Sequence, residues 1–321
     1  MKKTVLVSGA SGIVGYGILR SLGRSGLDLN LIGTSIYEDS VAEAFCNRFV
    51  KAPITGTSSY LDWLSDTVKE HEVDLLIPGI EADVFYWSEH IKLIQGFGSK
   101  VLLNRSELIS LCKDKWEFFE QLSGSQNRYA IPSLLESNFE LAVSTFGLPL
   151  LLKPRQGYGS KGIVVVKDEN TFDQHAHQIG QTLMVQPYIG DNTQEYTTSA
   201  YCNGEGGFYA HMSLRRELSK DGYTEKAELC EPEGIEQAIE SLCELFRPIG
   251  PTNFQFRATE NGLKLLEINP RISSSTSIRA AFGYNEAMMA VQHELLDVRP
   301  TQPVLKSGRA IRYTEDHIFY S

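Results

Sequence analysis

Leu263-Lys-Leu-Leu-Glu-Ile-Asn-Pro-Arg-Ile-Ser-Ser-Ser275 reads as a strand that runs into a polar loop. Successive side chains of a strand point to opposite faces. Glu267 and Asn269 therefore share one face, and Leu266 and Ile268 are expected on the other. An acid and an amide side by side form a pair of hard oxygen ligands. Such ligands suit Mg2+ (or Mn2+), which needs only one or two protein oxygens when phosphate and water complete its shell. Pro270 ends the ladder, and Arg271 offers a planar fork of donors for phosphate or carboxylate.

The preceding stretch, Thr252 to Thr259, alternates polar and apolar residues, and Glu260-Asn261-Gly262 is a hairpin signal. A two-residue turn at Asn261-Gly262 would place Gln255 opposite Ile268, on the wrong face. A three-residue loop with Gly262 in the left-handed position places Gln255 opposite Glu267 and Asn253 opposite Asn269. One residue of register decides whether a third oxygen joins the candidate metal site, and the three-residue loop is the expectation. The bland alternative is a hairpin whose polar face is simply wet.

Working outward, 321 residues are enough for two or three compact lobes. A formal net charge of −10, with no basic run to offset it, argues against a nucleic-acid partner. The five cysteines are scattered and lack metal spacing, which reads as reduced thiols. The apolar run after Lys2-Lys3 breaks at Ser8-Gly9, and no segment has the length of a membrane span. A cytoplasmic protein without a membrane partner is expected.

Up to about residue 105, short apolar strands alternate with helices, which implies a parallel, doubly wound sheet. One helix is expected over Asp83–Ile94. The first strand enters Gly9-Ala-Ser-Gly12-Ile-Val-Gly15, a spacing used to hold dinucleotide phosphates at a helix N-terminus. The second strand ends Gly33-Thr34-Ser35, without the acid that would hold a ribose, and no Tyr-x-x-x-Lys pair follows. The glycines then read as a tight strand–helix turn. Glu81 lies after the strand ending at Pro78, at the end of the sheet where ligands collect.

Asp114-Lys115 interrupts a helical stretch from Ser106 to Leu122. Next comes Gly147-Leu-Pro-Leu-Leu-Leu-Lys153-Pro, an apolar strand ending in a lysine. Arg155-Gln-Gly157-Tyr-Gly159-Ser160-Lys-Gly162 follows it. That loop does not match the Walker pattern. Three glycines, a serine and two cations still suit a flap whose N–H groups close over phosphates. Leu183 to Ile189 reads as a strand, with Pro187 leaving backbone groups unpaired for a ligand. Glu195–Cys202 and Gly207–Ser213 form an antiparallel pair. Leu214–Ala227, with Arg215 and Arg216, is expected to be a charged mobile loop. His211 precedes that loop; it could approach phosphates or be a half-buried strand histidine. Arg309–Tyr313 is expected to form an edge strand.

Together these residues resemble the ATP-grasp superfamily, in particular the synthetase unit of carbamoyl-phosphate synthetase large chains and single-unit carboxylate–amine ligases. The resemblance rests on Gly147 to Lys153-Pro154, the glycine flap, and Gln255 through Glu267-Ile-Asn269-Pro-Arg271, in that order. It implies an α/β (α+β) fold with three parts. These are a Rossmann-like pre-domain (1–108), a small flap-bearing lobe (109–189) and an antiparallel lobe with the metal site and a C-terminal tail (190–321). It implies ATP with Mg2+ (or Mn2+). Lys115 and Lys153 resemble the cations on the α- and β-phosphates, and Gly157, Gly159, Ser160 and Gly162 the phosphate flap. Gln186, Pro187 and Ile189 resemble the linker that reads adenine, and Glu195 the acid on the ribose. Gln255, Glu267 and Asn269 resemble the metal ligands, and Arg271 the cation on the group in flight. Gln186 and Gln255 stand where acids are common in the family, which puts a second Mg2+ in doubt. The implied substrates are a small-molecule carboxylate and an amine (or thiol), at least one of them acidic. Glu81, His211, Arg215, Arg216 and Ser273 are the candidates to line their pocket, and a homodimer is compatible with the resemblance.

The implied chemistry is phosphoryl transfer from ATP to a carboxylate, then attack of the amine on the acyl phosphate. A unit phosphorylating bicarbonate or carbamate is the nearest rival. An NAD-dependent epimerase or reductase and a nucleotide-binding regulator without turnover are rivals of other classes.

Overall fold

The computed structural model describes residues 2–157, 161–219 and 222–320. The flap residues Gly159 and Ser160 lie outside them.

The first sheet is parallel, with strand order β3-β2-β1-β4-β5. Its strands are β1 (Lys3–Val7), β2 (Leu29–Ser35), β3 (Arg48–Lys51), β4 (Leu75–Ile77) and β5 (Lys100–Val101). Helices α1 (Ile13–Gly23), α2 (Tyr60–Glu70), α3 (Glu81–Glu89) and α4 (Ile91–Gln95) connect them. The single helix expected over 83–94 is two, broken at His90. The Gly9–Gly15 turn serves backbone packing. A Cβ on Gly9 would lie 2.3 Å from Ile80 Cγ2, and one on Gly15 would lie 2.4 Å from the Gly9 carbonyl. Ile80 therefore sits against Gly9, and any larger residue there would force it away.

Helices α5 (Ser106–Leu111) and α6 (Lys115–Gly124) lead to the second sheet. They pack through Leu108, Phe118 and Leu122 into the core of the third sheet. The second sheet is antiparallel, in the order β7-β6-β8, from β6 (Leu150–Pro154), β7 (Val164–Val166) and β8 (Leu183–Pro187). Helices α7 (Phe139–Phe146) and α8 (Glu169–His175) cover it around Phe172.

The third sheet runs β13-β12-β9-β10-β11-β14. Its strands are β9 (Glu195–Asn203), β10 (Phe208–Leu218), β11 (Thr224–Leu229), β12 (Ile249–Thr259), β13 (Gly262–Asn269) and β14 (Arg309–Ile311). Helix α9 (Ile235–Phe246) packs on one face. Helices α10 (Thr276–Ala281) and α11 (Glu286–Leu296) share a core with α1 and the first sheet. The expected mobile loop over Leu214–Ala227 is instead mostly the hairpin β10–β11. There Leu214 and Arg216 are buried while Arg215 and Glu217 are exposed, the alternation of a half-buried strand. β14 is the edge strand expected near Arg309.

In the β12–β13 hairpin, Gln255 pairs with Glu267 and Asn253 with Asn269, as expected, but by a different route. Thr259 pairs with Gly262, so the turn is the two residues Glu260-Asn261, with Gly262 at φ +89°. The register then shifts between Gln255 and Phe256, where Leu266 is an extra residue. This β-bulge restores the pairing that the turn alone would have offset. It also breaks the expected alternation. Leu265 and Ile268 enter the core, while Leu266 stays partly exposed and lines a cleft.

Candidate active site

One cleft gathers most of the sequence-selected residues. Glu81, Lys115, Lys153, Gly157, Gln186, Glu267, Asn269 and Arg271 all line it, against an apolar wall that includes Phe118 and Ile131.

Lys153 enters from the end of β6. Its Nζ donates to the Leu266 carbonyl at 3.0 Å, so the bulge that sets the hairpin register also presents an acceptor to this lysine. Burial pushes the Lys153 pKa down to about 8, against the pull of Glu267. Glu267 shifts the other way. Its burial alone would raise its pKa, but Lys153, Lys115, the Asn269 amide and Arg216 together hold it below the usual carboxylate value. The Asn269 amide donates to Glu267 Oε1 at 3.0 Å, and Asn269 Oδ1 accepts from Arg271 Nη2 at 3.3 Å. Glu267, Asn269 and Arg271 thus form one hydrogen-bonded row along the cleft.

Lys115 begins α6, and its Nζ donates to the Gly157 carbonyl at 2.7 Å. Asp114, which the sequence reading passed over, builds this corner. Its carboxylate caps α6 by accepting from the N–H of Trp116 at 2.8 Å, and it accepts the Arg155 guanidinium at 2.8 Å. The Lys115 N–H donates in turn to the Arg155 carbonyl at 2.8 Å. An Asp before a helical run was the available signal; its partner across 41 residues was not.

Several expected residues are placed otherwise. Glu195 is buried, and both its oxygens are held, one by Arg216 at 2.7 Å and the other by Arg257 at 2.7 Å. Arg216 also donates to Gln255 Oε1, so that amide oxygen faces a guanidinium. Neither Glu195 nor Gln255 lines the cleft. Arg215 pairs with Glu228 on the exposed side of the hairpin. His211 lines a separate groove with Glu236, Glu240 and Glu244, and its backbone is bracketed by the Gln302 amide. Ser273 is buried and accepts from Arg279 Nη1 at 2.7 Å. Gln186 lines the cleft and donates to Ser133 Oγ at 2.9 Å; Pro187 pairs with Leu150, and Ile189 accepts from Arg257 Nη1 at 3.4 Å. Gly162 has φ +76°, beside Pro154. Cys112, not singled out by sequence, also lines the cleft, its thiol pKa raised by burial and by Glu267.

Among the described residues no group of three or more His, Cys, Asp or Glu side chains could hold a metal, and no helix is long and apolar enough to cross a membrane.

Residues 180–317 match a family model described as "ATP-grasp in the biosynthetic pathway with Ter operon". The N5-carboxyaminoimidazole synthetase of Staphylococcus aureus, solved with ADP, superposes with a TM-score of 0.71 at 18% identity, covering 95% of this chain and 81% of that one. The chain has the ATP-grasp fold. The biotin carboxylase of Campylobacter jejuni, solved as a βγ-ATP complex, has a TM-score of 0.73 at 16% identity, over 96% of this chain and 74% of that one. In sequence, the carbamoyl phosphate synthase large chain of Campylobacter jejuni is 24% identical over 200 residues, which are 57% of this chain and 18% of that protein. The chain therefore spans a small part of the length of that relative. In this chain with the ATP-grasp fold, the cleft lies where β6, β13 and α6 meet.

Proposed function

We propose that this chain is an ATP-dependent ligase that activates a small-molecule carboxylate as its acyl phosphate, releasing ADP, and passes the acyl group to an amine. One observation carries the reading: two lysines, Lys115 and Lys153, face the Glu267–Asn269–Arg271 row across a single cleft. Cations and a hydrogen-bonded acid–amide pair are what phosphoryl transfer requires, since its catalysis is positioning and charge neutralisation. The adenine nucleotides bound in two solved structures of the same fold support this reading.

The residues fit a Mg2+ ion held by Glu267 and Asn269. Glu267 is kept ionised at neutral pH, and one carboxylate plus nucleotide phosphates is a usual Mg2+ shell. Gln255 fits less well, because it does not line the cleft and Arg216 holds its oxygen more closely than Arg271 holds Asn269 Oδ1 at 3.3 Å. Bound there, the ion would screen the phosphate charge. Lys153 and Lys115 would bind the triphosphate, and Arg271 would steady the moving phosphoryl group. A carboxylate oxygen attacks the γ-phosphorus, and the bond to the β,γ-bridging oxygen breaks. The amine then attacks the acyl carbon, expelling phosphate and losing a proton. Arg271, which lines the cleft, favours an acidic acceptor.

The test is nucleotide product analysis over a panel of carboxylates, bicarbonate included, with hydroxylamine as the trapping amine. ADP is expected, with a hydroxamate from an organic acid. Glu267→Ala is expected to cut the stimulated rate by about 10²–10³. AMP in place of ADP, or full activity in Glu267→Ala, would refute the assignment.

A further inference from the structure

Beneath the loop that carries Arg271 lies a polar cluster outside the cleft. Arg279, on α10, is fully buried, and so is its ion-pair partner Glu286 at 3.2 Å. One guanidinium nitrogen, Nη1, donates to Ser273 Oγ at 2.7 Å and to Glu286. The other, Nη2, donates to Asn253 Oδ1 at 2.6 Å and to Thr197 Oγ1 at 2.9 Å. Thr197 itself donates to Asn253 Oδ1 at 2.7 Å, and Ser199 donates to Glu286 Oε2. Every member except Ser273 is completely shielded from solvent.

An ion pair buried this deeply is weak as a source of stability, because desolvating both charges cancels most of their attraction. What it does well is select one geometry. Here that geometry joins three things: the 270–275 loop through Ser273, strand β9 through Thr197 and Ser199, and strand β12 through Asn253. Asn253 pairs with Asn269 in the hairpin, and Ser273 stands two residues after Arg271. A second fastening, between Thr224 Oγ1 and Ser275 Oγ at 2.9 Å, holds the far end of the same loop.

We propose that Arg279 is a positioning residue that locks the 270–275 loop onto β9 and β12 and so sets the direction in which Arg271 and Asn269 face the cleft. The proposal rests on the ligase reading for its kinetic consequence, but its structural consequence stands apart from it. Displacements of about 1 Å at a positioned group can cost about 10²-fold in rate. Arg279→Met is therefore expected to lower kcat for carboxylate-stimulated ADP formation about 10- to 100-fold, with little change in the KM for Mg-ATP. Arg279→Lys, which keeps the charge and can still reach one acceptor, is expected to recover part of the rate.

Two measurements separate positioning from general support. In the first, Arg271→Ala combined with Arg279→Met is expected to lose less than the product of the two single losses, because part of the effect of Arg279 passes through Arg271. A multiplied loss would overturn the proposal. In the second, hydrogen exchange is followed on the whole chain without substrate. Amides of residues 270–277 are expected to exchange faster in Arg279→Met while β9 and β12 keep their protection. Unchanged exchange, or faster exchange throughout the sheet, would overturn it. Ser273→Ala, which leaves no unpaired charge, serves as the second variant if Arg279→Met does not fold, with the same exchange pattern expected. If no acid stimulates ADP formation in the wild type, the ligase reading fails and the exchange measurement still decides the role of Arg279.

Discussion

Glu267→Gln should make Lys153 lose its proton near neutral pH. The two groups oppose each other's burial: Glu267 is the main influence raising the Lys153 pKa, and Lys153 is the main influence lowering that of Glu267. At separations of about 4–6 Å and an effective dielectric constant of about 20, one unit charge acting on another is worth about 3–4 kcal/mol. At about 1.36 kcal/mol per unit of pKa, that is about 2–3 units. The cleft admits water, so the lower part of the usual range of about 1–3 units applies. From its starting value of about 8, the Lys153 pKa should fall to about 6–7 when the charge of Glu267 is removed. Titration of lysine side chains labelled at Cε and followed by NMR, with Lys153→Arg to assign the resonance, measures this directly. The stability consequence has a definite sign. With the native pKa depressed from 10.5 to about 8, the native state binds fewer protons than the unfolded chain in that interval, so stability rises with pH across it. In Glu267→Gln the interval should open at lower pH. An unchanged Lys153 titration in the variant would refute the claim that these two groups share one electrostatic site.

Affinity for Mg-ATP should be highest below pH 8 and weaken as pH rises through the Lys153 pKa of about 8, because only the ammonium attracts the triphosphate; calorimetric titration between neutral and alkaline pH would show it. Ile268→Ala empties a core position on β13, where Ile268 is 4% exposed. It should destabilise the fold by about 2–5 kcal/mol in denaturant unfolding, and a much smaller loss would mean that the hairpin faces are misassigned.

The alternation of strands and helices up to residue 105 was legible because most of the apolar runs end at or near a Gly, Pro or Ser punctuation mark. Lys115, Lys153, Glu267, Asn269 and Arg271 stood out in the sequence because their order resembles the ATP-grasp pattern, and the fold brings them to one cleft. What stayed hidden depends on pairing across long sequence distances. Glu195 lies on β9, Arg216 on β10 and Arg257 on β12, and only the sheet order β12-β9-β10 shows that they satisfy one another. The hairpin over 214–229 was disguised by the same network. Arg216 occupies a buried position of the alternation, so the stretch reads as uniformly charged although one of its charges is buried and paired. His211 was open between the phosphate site, suggested by its nearness to two arginines, and a half-buried strand position; β10 carries it, partly buried, to the groove facing α9.

The bulge at Leu266 needs a reason, because the hairpin would pair without it. From the Glu260-Asn261 turn, an unbroken ladder places whatever follows Leu265 opposite Gln255. Deleting Leu266 would put Glu267 there, with Leu265 and Ile268 still inward and Asn269 outward. The core therefore does not require the extra residue. Two features of the cleft do: the Leu266 carbonyl accepts Lys153 at 3.0 Å, and the Leu266 side chain forms part of the wall. Bulges commonly re-aim groups beside active sites, and here the group re-aimed is a backbone carbonyl. Deletion of Leu266 should thus leave a cooperative, folded protein with weakened Mg-ATP binding, since Lys153 loses the acceptor that fixes its direction. Thermal unfolding and nucleotide titration on the deletion variant separate the possibilities. Loss of folding would show that the bulge serves the hairpin itself. Wild-type nucleotide affinity would show that Lys153 is directed by other groups.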